Sequence, residues 1–207
     1  MSSKNYFDQI APQWDKTRES FFSELVREKA LSVAGVQEGK IAADIGAGSG
    51  FISEGLIRRG LRVIAVDQSE AMLSEMKKKF ADLEGIDYRL GKAENLPIND
   101  ETVDYVFANM YLHHVKAPPN AIKEMVRTLK SGGKLVITDL DEHDYEFLRV
   151  EHHDRWMGFN RNDIRKWFTE VGLKHVSVDC VGENCCAQSS GGDKQASISI
   201  FVACGEK

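Results

Sequence analysis

The chain has 207 residues, a net charge of −5 and a pI of about 5.7, enough for one domain with a sizeable core. The acidic balance offers no basic field for a nucleic acid, and no apolar run approaches the roughly 20 residues of a membrane span. Met1 to Asn5 lacks an apolar signal core, so a cytoplasmic protein is expected, and its four cysteines are expected as free thiols.

In chain order, the first predicted element is a helix with Phe22, Leu25, Val26 and Ala30 at helical spacing. Gly35 and Gly39 bracket the turn after it. Ile41 to Ile45 reads as a buried strand interrupted only by Asp44, and it runs into Gly46-Ala47-Gly48-Ser49-Gly50. Phe51 to Arg59 then has a helical pattern. A strand feeding a glycine turn and a helix is a nucleotide-binding corner of a parallel α/β sheet. A pyrophosphate at that corner needs glycines spaced G-x-G-x-x-G. Gly46 and Gly48 fit, but Phe51 takes the third place, and Asp44 precedes the first glycine, where it gives a pyrophosphate no help. S-adenosylmethionine (SAM) has no phosphate; its sulfonium and ammonium are attracted by a carboxylate. The next strand, Arg62 to Val66, ends at Asp67, whose carboxylate suits the ribose hydroxyls of either ligand.

Gln68-Ser69 opens a second helix with Ala71, Met72, Leu73, Met76 and Phe80 as its apolar stripe. Lys77-Lys78-Lys79 reads as the wet face of that helix. Ile86 to Leu90 is a short strand, followed by a loop from Gly91 to Pro97. Thr102 to Met110 is nearly all apolar, as expected of a strand covered on both faces. Asn109 to His114 leave its C-terminal end, the edge at which open α/β sheets bind ligands. Pro118-Pro119 starts a helix with Ile122, Met125, Val126 and Leu129 inward, and Lys130 to Gly133 turns into a strand over Lys134 to Thr138. Asp139 to Asp154 is densely polar. Asn160 reads as an N-cap with Asp163 at the third position, opening a helix on Ile164, Trp167, Phe168 and Val171 that Gly172 ends. His175 to Val181 and Ala196 to Ala203 alternate as strands, with Gly182 to Gly192 between them as a mobile loop. No linker composition appears, so residues 1–207 are expected to form one domain.

Asp44 to Gly50, then Asp67, then Ala93-Glu94-Asn95-Leu96-Pro97, then Leu112-His113-His114-Val115, then Leu129-Lys130-Ser131-Gly132-Gly133 resemble the ordered motifs of class I SAM-dependent methyltransferases. The closest resemblance is to the ubiquinone/menaquinone-biosynthesis branch, and it covers about residues 5 to 140. It implies an α/β, Rossmann-like sheet of seven mostly parallel strands, with helices on both faces and the last strand antiparallel. It further implies that residues 1–34 cover the cofactor and that 141–170 form a helical insertion on the acceptor side. The implied SAM contacts are Asp44, Gly46, Ala47, Gly48, Asp67, Gln68, Met72, Ala93, Glu94 and Asn109. Many relatives place an aspartate against the adenine amine where this chain has Lys92, which cannot accept a hydrogen bond; the contact falls to a backbone carbonyl or Glu94, or is lost. The aromatic residues between Tyr6 and Asp15 either cover the ligands or clasp the core.

Transfer from an activated sulfonium needs in-line approach and exclusion of water, and a base only where the acceptor keeps its proton. His114 and His113 are the candidates for that base, beside a purely local role in shaping the pocket. Tyr6, Tyr111, His143, His152 and Cys185 are expected on the acceptor side. No metal site is expected, because adjacent His152 and His153 would point to different sides of a helix. Cys185-Cys186 keeps open a metalloid or thiol acceptor, as in arsenite methyltransferases, although no N-terminal cysteine partner exists. The expected partner is a small-molecule acceptor, and monomer and homodimer are both open. A NAD(P)-dependent oxidoreductase is disfavoured by Phe51, by Asp44 and by the lack of a Tyr-x-x-x-Lys pair after the fourth strand. A SAM-binding protein without catalysis stays open.

Overall fold

In the computed structural model, which describes residues 3–207, the apolar runs assemble into one seven-stranded sheet. β1 (Ile41–Ile45), β2 (Arg62–Asp67), β3 (Ile86–Leu90), β4 (Val103–Asn109) and β5 (Leu129–Leu140) are parallel. β6 (Lys174–Gln188) and β7 (Gln195–Glu206) form a hairpin in which β7 runs antiparallel to both of its neighbours. The order is β3-β2-β1-β4-β5-β7-β6. The direction of strand addition reverses between β1 and β4, and a crevice opens there at the C-terminal ends of the strands.

Helices cover both faces, which is why the central strands are almost continuously apolar. Val26 and Leu31 of α3 (Glu24–Ala34) and Leu56 of α4 (Phe51–Ile57) pack with Val63, Phe107 and Val136 on one face. Ile122 and Met125 of α6 (Pro118–Thr128) and Phe168 of a later helix (Arg161–Glu170) pack with Val66, Val106 and Phe201 on the other. Each such fully buried side chain contributes roughly 1.5–3 kcal/mol relative to exposure. The helix starts follow side-chain caps: Ser23, Ser69 and Asn160 accept from Leu25, Met72 and Asn162 backbone N–H groups.

Two expectations are corrected. The stretch from Gly182 to Gly192 is mostly strand, since β6 continues to Gln188 and β7 begins at Gln195. Its glycines and serines hide a period-two pattern in which Val181, Cys185 and Ala187 are buried while Asn184 and Cys186 face outward or sideways. A register shift between Cys180 and Asn184 absorbs the glycine. His152 and His153, expected within a helix, instead end one: the short helix Glu146–Glu151 is capped by His152, and His153 takes φ +59°.

The N-terminal segment, α1 (Ser3–Ile10) and α2 (Trp14–Glu19), is tied to the nucleotide-binding corner. Ser69 Oγ donates to Asp8 Oδ1 at 2.6 Å, and Ser49 Oγ donates to Asp15. Its end is tied to the other side of the molecule: Cys186 N donates to Phe21 O at 2.9 Å, and Ser23 N donates to the Glu183 carboxylate at 2.8 Å. Among the described residues no helix is long and apolar enough to cross a membrane.

Candidate active site

The turn after β1 is held by backbone bonds: Gly46 N and Ala47 N donate to Val66 O at 2.8 and 3.1 Å. Gly46 has φ +70°, and a Cβ on it would lie 2.2 Å from Cγ of Tyr111. Only glycine lets the ring sit on the loop. Asp67, at the end of β2, gathers the loop and the start of α5 (Glu70–Lys79): its Oδ2 accepts from Gly48 N at 2.9 Å and its Oδ1 from Ser69 N at 2.8 Å. Burial raises its pKa, and the backbone donors oppose that rise. Gly46, Ala47, Gly48, Asp67, Gln68, Met72 and Asn109 all line the resulting cleft.

The remaining expected cofactor residues sit differently. Asp44 lies under the loop and does not line the cleft; its Oδ2 accepts from Ser53 N at 3.0 Å and from Ser53 Oγ at 2.6 Å. It fixes the first turn of α4. Burial pushes its carboxyl up to about 6, against the pull of those Ser53 bonds. Ala93 and Glu94 border the cleft through Tyr111, whose hydroxyl meets the Ala93 backbone and feels the Glu94 charge. Tyr111, expected on the acceptor side, is therefore a wall of the cofactor cleft, because the turn at Met110 (φ +49°) directs it back over Gly46. Burial, then the nearby Asp67 and Glu94 charges, raise its pKa.

A second cavity adjoins the first. Tyr6, Phe7, Trp14, Phe21 and Phe22 from the N-terminal segment form its walls, with Leu148 and Cys185 from the C-terminal half. Edge-to-face contacts fix the rings: Phe7 lies 5.2 Å from Trp14 and 5.0 Å from His114 between centroids. Phe7, Trp14, Phe22, Met110 and His114 line both cavities.

The polar floor of this chamber comes from three segments. Leu112–His114 is a single 3-10 turn directly after β4. Asp139, near the end of β5 and fully buried, meets His113 Nδ1 with Oδ1 at 2.6 Å and accepts from His113 N with Oδ2 at 3.3 Å. Asp154 lies with Oδ1 3.8 Å from His113 Nε2 and 3.9 Å from His114 Nδ1. Asp154 is held there because Arg155 N and Trp156 N both donate to His113 O at 3.0 Å. Burial works against a charge on His113, but Asp139 and Asp154 together outweigh it and raise its pKa to about 9. Burial and the neighbouring His113 hold His114 well below the ordinary imidazole range. Burial raises Asp154 to about 6 despite His113. At neutral pH the floor thus carries a cationic His113 between two carboxylates, beside a neutral His114.

Tyr6 and His152 meet in the chamber, the phenol oxygen 3.3 Å from His152 Nδ1. His143 is not among the chamber's walls; its Nδ1 accepts from Tyr145 N at 3.3 Å. Cys185 is a wall, and burial pushes its thiol up to about 12. Sequence reasoning missed Asp139 and Asp154 as floor residues. Asp139 carried a weak signal as an acid near the C-terminal end of a predicted strand; Asp154 carried none beyond its polar neighbourhood.

Residues 43–137 match the family model of a methyltransferase domain. The chain is 35% identical over 154 residues to a demethylmenaquinone methyltransferase from Renibacterium salmoninarum, an alignment covering 73% of this chain and 64% of that protein. It is 31% identical over 180 residues to one from Thermobifida fusca, covering 83% of this chain and 69% of that protein. The chain belongs to the class I SAM-dependent methyltransferases. This methyltransferase spans about two thirds of the length of those curated relatives, 64% and 69%. Its fold is also that of the YcgJ protein from Bacillus subtilis, with a TM-score of 0.76, 16% identity, and coverage of 89% of this chain and 99% of that one. The cleft fits the family's cofactor, SAM: the Gly48 backbone and the buried Asp67 carboxylate line it, with no phosphate-binding cation among its walls except Arg18, which is itself stacked 4.4 Å from the centre of the Phe51 ring.

Proposed function

We propose that this methyltransferase transfers a methyl group from SAM to a small, largely apolar acceptor bound in the aromatic chamber. The observation that carries the proposal is the shared wall: Phe7, Trp14, Phe22, Met110 and His114 border both cavities. A group at the end of the cleft therefore meets one in the chamber without crossing bulk water. Bound SAM supplies a methyl group already activated by its positive sulfur. The chain supplies alignment and dryness, which account for much of such a rate.

The floor handles the acceptor's charge. Asp139 fixes the His113 ring through Nδ1, so Nε2 points to the Asp154 side; where the acceptor must lose a proton before transfer, the Asp154 carboxylate takes it and the His113 charge holds the resulting anion. His114 stands at the junction and orients the reacting atom. The aromatic walls support a ring-bearing acceptor, and the relatives named for demethylmenaquinone agree with a quinol-like one. The acidic balance of the chain supports an enzyme of small molecules rather than nucleic acids; a cytoplasmic location and a monomer or homodimer belong to the same reading. A metalloid or thiol acceptor held by a cysteine pair has less support, since Cys185 is buried and Cys186 exposed on β6.

The test is release of S-adenosylhomocysteine with quinol-like, thiol, amine and metalloid acceptors. Quinol-like compounds should turn over, and Phe21→Ala, whose side chain lines the chamber and not the cleft, should raise their KM roughly tenfold without changing SAM affinity. SAM binding with no release on any acceptor class would make the protein a non-catalytic binder.

A further inference from the structure

Among the described residues, three buried imidazole nitrogens have no hydrogen-bond partner: His114 Nδ1 and His152 Nε2, on two walls of the chamber, and His143 Nε2 outside it. One of them belongs to a group. One ring nitrogen each of His113 and His114 and a carboxylate oxygen of Asp154 all lie within 4.8 Å of one another, and Asp154 Oδ1 is 3.8 Å from His113 Nε2 and 3.9 Å from His114 Nδ1. Separations of 3.8 and 3.9 Å from Asp154 are too long for hydrogen bonds. The other side of each ring is already committed. His113 Nδ1 is 2.6 Å from Asp139, and the His114 ring bonds the His153 backbone, which with Nδ1 free falls to Nε2. A carboxylate behind an imidazole is the arrangement that orients a metal-binding histidine.

We propose that His113, His114 and Asp154 bind a divalent transition cation at the floor of the acceptor chamber. Two imidazoles and one carboxylate suit zinc or ferrous iron and leave coordination positions open; binding displaces the proton on His113 Nε2, and the cation then takes over that ring's charge toward the acceptor. Those positions face the chamber, because all three residues are among its walls. Tetrahedral metal–ligand bonds of roughly 2.0–2.2 Å place ligand atoms about 3.3–3.6 Å apart, so each of the two histidine–Asp154 separations has to shorten by only a few tenths of an ångström. Asp139 and Asp154 together balance the two positive charges. The site's role rests on the acceptor-chamber reading: the cation would hold an acceptor oxygen or sulfur as its anion, with no redox change. Cation binding itself does not rest on that reading.

The full chain, stripped with a chelator, is titrated with Co²⁺ and Zn²⁺ and followed by cobalt d–d absorption and calorimetry. One equivalent should bind, with a low-symmetry cobalt spectrum. Asp154→Asn should weaken binding at least about a hundredfold, with SAM affinity unchanged as proof of folding, and His114→Gln provides a second break in the same triad. Asp139→Asn should weaken binding roughly 10–100-fold through the orientation of His113 alone. His175→Ala, exposed at the far end of β6, should change nothing. No stoichiometric cation, or undiminished binding in both Asp154→Asn and His114→Gln, overturns the site. Normal turnover without any cation overturns the cation's role in the reaction while leaving methyl transfer standing; a bound cation with no turnover on any acceptor overturns the proposed function and leaves the site.

Discussion

The cofactor half and the acceptor half of this methyltransferase are made of different material. The base of the cleft is backbone: the Gly46–Gly50 turn, the end of β2 and the start of α5 are short stretches, roofed by Tyr111 and by the aromatic side chains that the cleft shares with the chamber. The chamber, to which we assign the acceptor, is side chains, brought together from Tyr6, Phe21, His114, Asp154 and Cys185 by tertiary packing. A cleft made of backbone depends on a few glycines and one carboxylate, whereas a chamber made of side chains can change its chemistry without disturbing the sheet.

Breaking the backbone half should have the largest effect. Gly46→Val places a branched side chain at φ +70° and where a Cβ already lies 2.2 Å from the Tyr111 ring. SAM binding by calorimetry should fall below detection, while far-ultraviolet circular dichroism stays native. An apolar quinone probe in the chamber should still bind, because Gly46 lines only the cleft. Loss of quinone binding along with SAM binding would mean that the two halves are one cooperative unit.

That division also explains what was legible in the chain. The sheet, its order of motifs and most cleft walls follow from local signals: a glycine turn after a buried strand, an acid at the end of the next strand, a serine cap. The position of Tyr111 on the cleft rather than in the chamber is not legible, because its direction is set by the unusual backbone at Met110, which no periodicity reports. The β6–β7 hairpin was partly hidden because glycines and serines dominate a stretch whose alternation shows only once Phe21 pairs with its edge. Asp139 and Asp154 are adjacent in space through His113 alone, and 15 positions apart in the chain.

Asp44 sharpens the comparison, since it belongs to the cofactor half without lining it. Its carboxyl sits at about 6 in the folded chain, against 3.8 for the free group. The folded state therefore holds this proton more tightly than the unfolded state, and stability falls as pH rises from about 4 through about 6. A shift of about 2 pH units corresponds to about 3 kcal/mol. An asparagine in its place would keep an acceptor for Ser53 and lose the titration, so Asp44→Asn should flatten the denaturation free energy across pH 4 to 7 by that amount. An unchanged pH profile in urea unfolding would show that the Ser53 bonds fully compensate the buried charge.

The smallest effects are expected at the cysteines, and they test whether the acceptor half uses sulfur at all. Cys185 and Cys186 are neighbours on β6, and one is buried in the chamber while the other is exposed, so they cannot close on one acceptor atom. Burial, and then the charge of Asp154, push the Cys185 thiol up to about 12, so at neutral pH it is a small apolar wall rather than a nucleophile. Cys180 is the opposite case. Ser199, the Gly182 N–H and Arg161 all favour its thiolate and lower its pKa, and it is exposed. Iodoacetamide at pH 7 should therefore modify Cys180 first and leave Cys185 intact, as read by peptide mass spectrometry. Cys185→Ser and Cys186→Ser should each change turnover on a quinol-like acceptor less than about twofold, because neither swap leaves a cavity or removes a charge. A tenfold loss in Cys185→Ser confined to thiol or trivalent arsenic acceptors would instead place sulfur in the chamber's chemistry and return the metalloid alternative to first place.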